Sequence, residues 1–358
     1  MKILQIYKDV HPFKRGGIER YVHDLSKYLA GRGHDVNVLV AGNAAGGPQG
    51  NVSGFSITRY PYIFRILSNP ISLRLRKILK TIPADIVHFH TPLPIAVISW
   101  LLSGRDIPYV VTYHSDIVRQ AVFLPVYGPF LRKFLTGAGK VIATSPVYRK
   151  NSKYLSELTN TEVVPIGSDP DVFKPSETTG NGNYVLFAGR FRKYKGIEVL
   201  LNAWKVFPDK QLLMAGGGPL ENTVRKRIQM DNLNVKIVKD PSDSELVGLY
   251  QRARCLVLPS TLRSEAFGMV QTEAMACGIP VISTSLPTGV SWVNLDNETG
   301  LIVPPGDPLS LADAVRKMDD PSIHAKLSRG ALERAKQHFN AKELFSRIES
   351  LLEEAVNA

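Results

Sequence analysis

The stretch "CLVLPSTLRSEAFGMVQTEAMACGIPVIST", residues 255–284, decides how the rest of the chain is read. It runs from a short apolar strand through a loop into an apolar, helix-like segment. That segment ends at Gly278 and Pro280, and a second apolar strand follows. A strand, a helix and a strand in about 30 residues is the βαβ unit of a parallel sheet. In such sheets the loops leaving the C-terminal ends of the strands are where ligands bind. Two glutamates, Glu265 and Glu273, sit in this otherwise apolar segment and need a reason to be there.

Read as one continuous helix, the eight residues from Glu265 to Glu273 rise about 12 Å. A pair of glycosidase carboxyl groups sits only roughly 5–9.5 Å apart, so the two are not expected to form one acid/base couple. They suit the distant parts of one long ligand, such as a nucleotide sugar. Glu265 would hold sugar hydroxyls and Glu273 the ribose. Between them the helix N-terminus, Phe267 to Val270, would offer N–H groups to a diphosphate. The plainer alternatives are an N-terminal helix charge for Glu265, worth about 0.3–1 kcal/mol, and a paired buried acid for Glu273.

Outward from this stretch the pattern repeats. "YVLFAGR" (184–190), "QLLMAGG" (211–217), "NVKIVK" (234–239), "CLVLPS" (255–260) and "PVISTS" (280–285) read as strands with helix-like segments between them. The first half carries its own series, "KILQIY" (2–7), "DVNVLVA" (35–41), "ADIVHFH" (84–90), "PYVVTYH" (108–114) and "KVIATS" (140–145). The proline-rich "EVVPIGSDPDVFKP" (162–175) reads as the connector. The expected fold is α/β: two doubly wound, Rossmann-like domains facing a cleft, over residues 1–166 and 167–340. The last segment, 341–358, reads as a helix with an apolar stripe through Leu344, Ile348, Leu351 and Leu352.

Charge is distributed unevenly. Residues 1–165 hold 21 Lys and Arg against 9 Asp and Glu, whereas the remainder holds 23 against 23. The whole excess lies in the first half, which points to an anionic partner there, a nucleic acid or a membrane surface. "RILSNPISLRLRKILK" (65–80) sets Arg74, Arg76, Lys77 and Lys80 among apolar side chains, and "RQAVFLPVYGPFLRKFL" (119–135) adds Arg132 and Lys133. Both read as membrane-surface elements, or as ordinary domain helices with solvated cations. The longest apolar run, "PIAVISWLL" (94–102), is too short to span a bilayer. The N-terminus is too short and polar for a signal peptide, so a cytoplasmic protein is expected. Cys255 and Cys277 lack metal-like spacing and read as core residues.

Smaller motifs are ambiguous on their own. "KRGGIERYV" (14–22) leads a glycine pair into a helix. That suits a phosphate, although a simple strand–helix turn is the preferred reading in isolation. "FAGRFRKYKGIEVLLNAW" (187–204) hangs Arg190 and Lys195 over a strand edge, where two cations would stabilise a leaving diphosphate or merely be solvated. His88 and His90 read as core histidines or as support for a site.

Taken in order, these motifs resemble the E-x₇-E glycosyltransferases of family 4, with the GT-B fold. The likeness covers nearly the whole chain, including "GRFRKYKG", "SEAFGMVQTEAMACGIPVIST" and "NETGLIVPPGDPLSLADAV" (297–315). It implies a retaining transfer that needs no metal. Gly17 would line the site near the donor phosphate, and Arg190 and Lys195 would contact the diphosphate. Glu265 would bind the sugar and Glu273 the ribose. Phe267, Gly268, Met269 and Val270 would make backbone contacts. His114, in "VVTYHSDIV", would lie near the reacting sugar. The resemblance also implies that the closing helix packs back on the first domain. "TYHSDIVRQ" is similar to a segment of bacterial surface-polysaccharide mannosyltransferases. GDP-mannose is therefore the first expectation for the donor, with UDP-sugars next. A glycan or polyprenyl-linked acceptor, docking on the inner face of the cytoplasmic membrane and no nucleic acid complete the expectation. The rivals are a GT-B sugar-nucleotide epimerase and a nucleic-acid-binding protein.

Overall fold

The computed structural model describes residues 1–14, 16–42, 50–66, 69–116, 124–177, 179 and 182–358. The chain divides into two units. The first comprises Met1–Thr144, Arg149–Val164 and Lys342–Ala358; the second comprises Ser145–Tyr148 and Pro165–Ala341.

The strands of the first unit are β1 (Lys2–Ile6), β2 (Asp35–Ala41), β3 (Gly50–Val52), β4 (Phe55–Tyr60), β5 (Phe64–Ile66), β6 (Asn69–Ile71), β7 (Ile86–Thr91), β8 (Tyr109–Tyr113), β9 (Lys140–Ala143) and β10 (Thr161–Val163). Its helices are α1 (Gly17–Gly31), α2 (Leu75–Thr81), α3 (Pro94–Ser103) and α4 (Leu124–Thr136). Eight strands form one sheet in the order β10-β9-β8-β7-β1-β2-β4-β3, and β5 and β6 form a separate hairpin. All pairs in the large sheet are parallel except the edge pair β3–β4. Central β7 is buried along its whole length, as expected of a parallel strand covered on both faces. Helix α1 buries Tyr21, Val22, Leu25, Ser26 and Leu29, one stripe at helical spacing.

Three expectations change. The segment 65–80 is not one surface element. It is the β5–β6 hairpin followed by the short α2, whose Leu75 and Leu79 are buried in the unit's own core. Strand β10 occupies the start of the stretch read as a connector. The closing helix buries Phe345 rather than Leu344, together with Ile348, Leu351 and Leu352.

That closing helix belongs to the first unit from Lys342 onward. The Phe345 ring lies 5.8 Å from Tyr21 and 5.7 Å from Tyr28. Glu349 is buried and accepts from His34 Nε2 at 2.8 Å and Arg32 Nε at 3.3 Å, with the Tyr28 hydroxyl at 3.4 Å. No described helix is long and apolar enough to cross a membrane.

Between the units' main segments runs α5 (Pro146–Asn151). The second unit carries β11 (Tyr184–Ala188), β12 (Gln211–Ala215), β13 (Val235–Val238), β14 (Cys255–Leu258), β15 (Val281–Thr284) and β16 (Gly300–Val303). Its helices are α6 (Ile197–Trp204), α7 (Glu221–Met230), α8 (Asp243–Arg252), α9 (Met269–Ala276), α10 (Val290–Val293), α11 (Pro308–Lys317) and α12 (Pro321–His338), and the closing helix is α13 (Ala341–Asn357). The sheet order is β13-β12-β11-β14-β15-β16, all parallel. In order of occurrence that is 3-2-1-4-5-6, the dinucleotide-binding arrangement, with its reversal between β11 and β14. Trp204, Phe187, Phe191 and Leu311 belong to the apolar core of this unit. Cys255 and Cys277 are free and buried, and burial pushes both thiols up to about 12.

Candidate functional site

A reversal in strand order leaves the loops of two adjacent strands diverging at their C-terminal ends, which opens a crevice. In the second unit those loops follow β11 and β14, and they carry Lys195 and Glu265. After β11 the chain passes Gly189 and Arg190 and makes a single 3₁₀ turn, Lys193–Lys195. Gly196 has φ +68°, and a Cβ there would lie 1.8 Å from the carbonyl oxygen of Pro259. Only glycine lets the first loop lie flush on the second.

This close approach brings Lys195 Nζ within 2.7 Å of Glu265 Oε2. Ser260 Oγ donates to the same oxygen at 2.8 Å. Lys195 and Glu265 are each 7% exposed, so neither charge is shared freely with water. Burial is the largest influence on Lys195 and acts against its charge. Glu265, Tyr194 and Glu273 outweigh it and hold the ammonium above its ordinary pKa. A buried ion pair contributes little net stability, because desolvation offsets the attraction. Its presence at a sheet's ligand edge is a mark of a site.

Helix α9 begins at Met269, not near Glu265. Glu265 therefore lies in the loop and Glu273 on the second turn, and the 12 Å spacing of a continuous helix does not apply. Both carboxylates act on the one Lys195 ammonium. Glu273 is 8% exposed and accepts from the Tyr250 hydroxyl at 2.7 Å. Gly268 caps the helix with φ +76°, and a Cβ would lie 2.6 Å from Leu258 Cδ2. The N–H groups of Met269 and Val270 open the helix, where they have no intrahelical acceptor. Phe267 is buried, edge-on to Phe339 at 6.2 Å, so its side chain serves the core. Arg190 is exposed and forms no ion pair among the described residues. The second unit thus brings together Lys195, Glu265 and Glu273 and leaves Arg190 at the surface.

The first unit has its own reversal, between β1 and β7. The alternation in "VHFHT" puts His88 and His90 on the same face of β7. His114 follows β8, and its N–H donates to the Thr91 carbonyl at 3.2 Å. His114 Nε2 lies 3.1 Å from His90 Nδ1, and His90 Nε2 lies 2.6 Å from Gln5 Oε1. His88 Nε2 lies 2.7 Å from Thr112 Oγ1. Burial pushes His88 and His114 down to about 3 and His90 well below the ordinary value. All three are neutral imidazoles at physiological pH. Gln5 was legible only as a polar residue in an apolar strand; its partner is 85 positions away.

Gly17 opens α1 and is exposed, and the Glu19 carboxylate folds back against the neighbouring Gly16. An acid already occupies this helix N-terminus. Arg74, Arg76, Lys77 and Lys80 are all exposed, as are Arg132 and Lys133; Arg132 pairs with Glu157 at 2.7 Å. Leu73 is 80% exposed and Val126 75%, so apolar side chains do stand among these cations. Residues 119–123 of the second basic segment, and residues 117–120 of "TYHSDIVRQ", lie outside the described residues, as does Arg15 beside the glycine pair.

Comparison with known proteins places this geometry. The family model described as Glycosyltransferase Family 4 matches residues 15–172, and the one described as Glycosyl transferases group 1 matches residues 168–338. The chain is 35% identical over 331 residues to an O-antigen chain mannosyltransferase C of Escherichia coli, covering 89% of this chain and 88% of the relative. It is 33% identical over 355 residues to a D-rhamnosyltransferase of Pseudomonas aeruginosa, covering 95% and 93%. Among solved structures it is similar to Anabaena HepE in complex with UDP-glucose, with a TM-score of 0.79, 20% identity and 99% of each chain covered. Two family models laid end to end, relatives matched over most of their length and two parallel sheets with this strand order have one meaning: the chain belongs to glycosyltransferase family 4, with the GT-B fold.

Proposed function

We propose that this glycosyltransferase moves a hexose from a nucleotide sugar to a glycan or polyprenyl-linked acceptor in surface-polysaccharide assembly, with mannose from GDP-mannose as the donor. The observation that carries the reading is the buried Lys195–Glu265 pair at the strand reversal of the second unit, next to the N-terminus of α9. A donor sugar needs hydroxyl acceptors, and its diphosphate needs fixed positive charge. The site offers both in a dry setting, where each is worth more than in water.

In this account Lys195, Arg190 and the N–H groups of Met269 and Val270 hold the diphosphate, and Gly268 permits the close approach. Glu265 accepts from sugar hydroxyls, and Glu273, held by Tyr250, accepts from the ribose. Gly17 and Phe267 contribute backbone only. The bond from the sugar's anomeric carbon to the diphosphate breaks as charge grows on the leaving oxygen. An acceptor hydroxyl attacks the same face and passes its proton to that oxygen, with retention and no metal. The protein supplies position and charge.

Mannose is supported by the mannosyltransferase relative, and also by the rhamnosyltransferase, since D-rhamnose is 6-deoxymannose. A UDP-sugar is the second reading, favoured by the UDP-glucose complex of the HepE structure. The exposed cations of α2 and α4, with Leu73, Val126 and Phe130, support docking on an anionic membrane face, the cytoplasmic leaflet in this account. Incubation with GDP-mannose or UDP-glucose and a lipid-linked acceptor, without added metal, tests the reading. Transfer with the anomeric configuration kept supports it. Inversion, or a strict need for a divalent cation, refutes the mechanism.

A further inference from the structure

The buried polar chain of the first unit has a direction. Its far end is the Val22 carbonyl, which can only accept. Ser26 Oγ lies 2.6 Å from that carbonyl and therefore spends its one proton there. Ser26 can then only accept from Gln5 Nε2, 3.0 Å away. The amide orientation of Gln5 is fixed by this, and its Oε1 must accept from His90 Nε2–H at 2.6 Å. A neutral imidazole carries one proton. His90 Nδ1 is consequently bare and accepts from His114 Nε2–H at 3.1 Å. The last link leaves His114 Nδ1 with a lone pair and no proton. That atom is buried and has no hydrogen-bond partner among the described residues, although the residue is 3% exposed.

We propose that Ser26, Gln5 and His90 are positioning residues that lock His114 in its Nε2–H tautomer, so that Nδ1 is presented as an acceptor to a hydroxyl of the transferred sugar or of its acceptor. This rests on the reading of the chain as a sugar-transferring enzyme and adds to it how the histidine is set. A buried acceptor without a donor is costly, and the remedy is a ligand that brings an O–H. His88 Nδ1 also lacks a partner among the described residues, but it lies mid-strand. His114 lies beyond the C-terminal end of β8, on the ligand edge of a parallel sheet. Burial of the histidines keeps the chain neutral, so its proton order does not change near neutral pH. An imidazolium at position 114 would donate from both nitrogens and could not play this part.

The test is ¹⁵N NMR of the full chain labelled at histidine, assigned with His114→Gln and His90→Gln. The expected spectrum shows His114 protonated at Nε2 and bare at Nδ1, with the same state from pH 6 to 8. A His114 protonated at Nδ1, or at both nitrogens, overturns the proposal without need of any variant. The kinetic arm compares His90→Leu with His90→Gln. Loss of the acceptor in His90→Leu should mix the tautomers and lower kcat by about 10- to 100-fold, with donor KM little changed. In His90→Gln the side-chain amide carbonyl can accept from His114 Nε2–H and should restore most of the rate. A His90→Gln as slow as His90→Leu, with His114 still in the Nε2–H form, overturns the positioning role. Absence of glycosyl transfer in the wild type would instead strike the functional reading, while the NMR arm would still decide the tautomer.

Discussion

The two units solve one topological problem with opposite chemistry. Each has a parallel sheet whose strand order reverses, at β1/β7 in the first and β11/β14 in the second. At the first reversal the chain buries neutral imidazoles joined by directional hydrogen bonds. At the second it buries full charges, Lys195 against Glu265. Neutral chains fix which atom donates and which accepts, whereas ion pairs supply field. A reaction that must recognise hydroxyls and also stabilise a leaving diphosphate needs both. The overall charge follows a different logic: the excess cations lie in residues 1–165, and those of α2 and α4 (Arg76, Lys77, Lys80, Arg132 and Lys133) are all exposed.

The comparison breaks most easily at the ion pair. Lys195→Ala should lower turnover at least ~100-fold by removing charge from the leaving diphosphate. It should also destabilise the second unit by about 3–5 kcal/mol, because Glu265 is left buried without its counter-charge. The paired change Lys195→Met with Glu265→Leu should recover most of the stability and none of the activity. Transfer assays beside denaturant melts check both halves. Equal destabilisation by the single and paired changes would contradict the buried-charge argument.

Gly268→Ala comes next. The positive φ and the 2.6 Å approach to Leu258 Cδ2 leave no room for a Cβ. A loss of about 1–3 kcal/mol is expected from strain, together with weaker nucleotide binding seen by calorimetry. Gly17→Ala, at the exposed opening of α1, should cost far less, and a similar loss at both would remove the distinction drawn between the two helix starts.

Acid sharpens the contrast between the units. His88, His90 and His114 have folded pKa values depressed below the ordinary 6.5. Below that value the unfolded chain binds protons that the folded chain refuses. Their contribution is complete above about pH 6.5 and is lost as pH falls below it, toward about 3 for His88 and His114, by about 1.4 kcal/mol per pH unit for each histidine. In the second unit burial also lowers His324, with its hydrogen bond to the Arg254 carbonyl acting against the shift. Hydrogen exchange between pH 7 and 5 should show β7 and β8 losing protection before β11 and β14. The reverse order would refute it.

The smallest effect belongs to the surface. Leu73→Asp with Arg76→Glu and Lys77→Glu should weaken sedimentation with anionic vesicles at low salt by about 1 kcal/mol for each charge reversed and leave transfer to a water-soluble acceptor unchanged.

Most of the sheet was legible, because buried parallel strands announce themselves as apolar runs separated by helical periodicity. The strands that escaped were β3 to β6, β10 and β16: β4 has six residues but is only half buried beside the sheet's edge, and the others have three or four residues and lie at sheet edges or in a side hairpin. The site was legible by residue type but not by pairing. Glu265 and Glu273 stood out as charge in an apolar stretch, whereas Lys195 was one of four cations in "GRFRKYKG", marked only by its place after a strand. That Lys195 closes on Glu265 follows from the flush contact at Gly196, which no spacing announces. The Gln5–His90–His114 chain joins three strands or strand ends, so its order lies in the register of the sheet. That 65–80 divides into a hairpin and a short helix was not legible, because nothing in the stretch marks Leu75 and Leu79 as the side chains that turn inward.

Titration calorimetry with GDP, UDP and ADP, without metal, on the wild type and on Glu273→Ala, tests the central claim most directly. One nucleoside diphosphate should bind the wild type in preference to the others, GDP by this account, and lose at least about 10-fold in affinity in the variant. Binding that is indifferent to Glu273, or no binding by any of the three, would contradict the placement of the donor on α9.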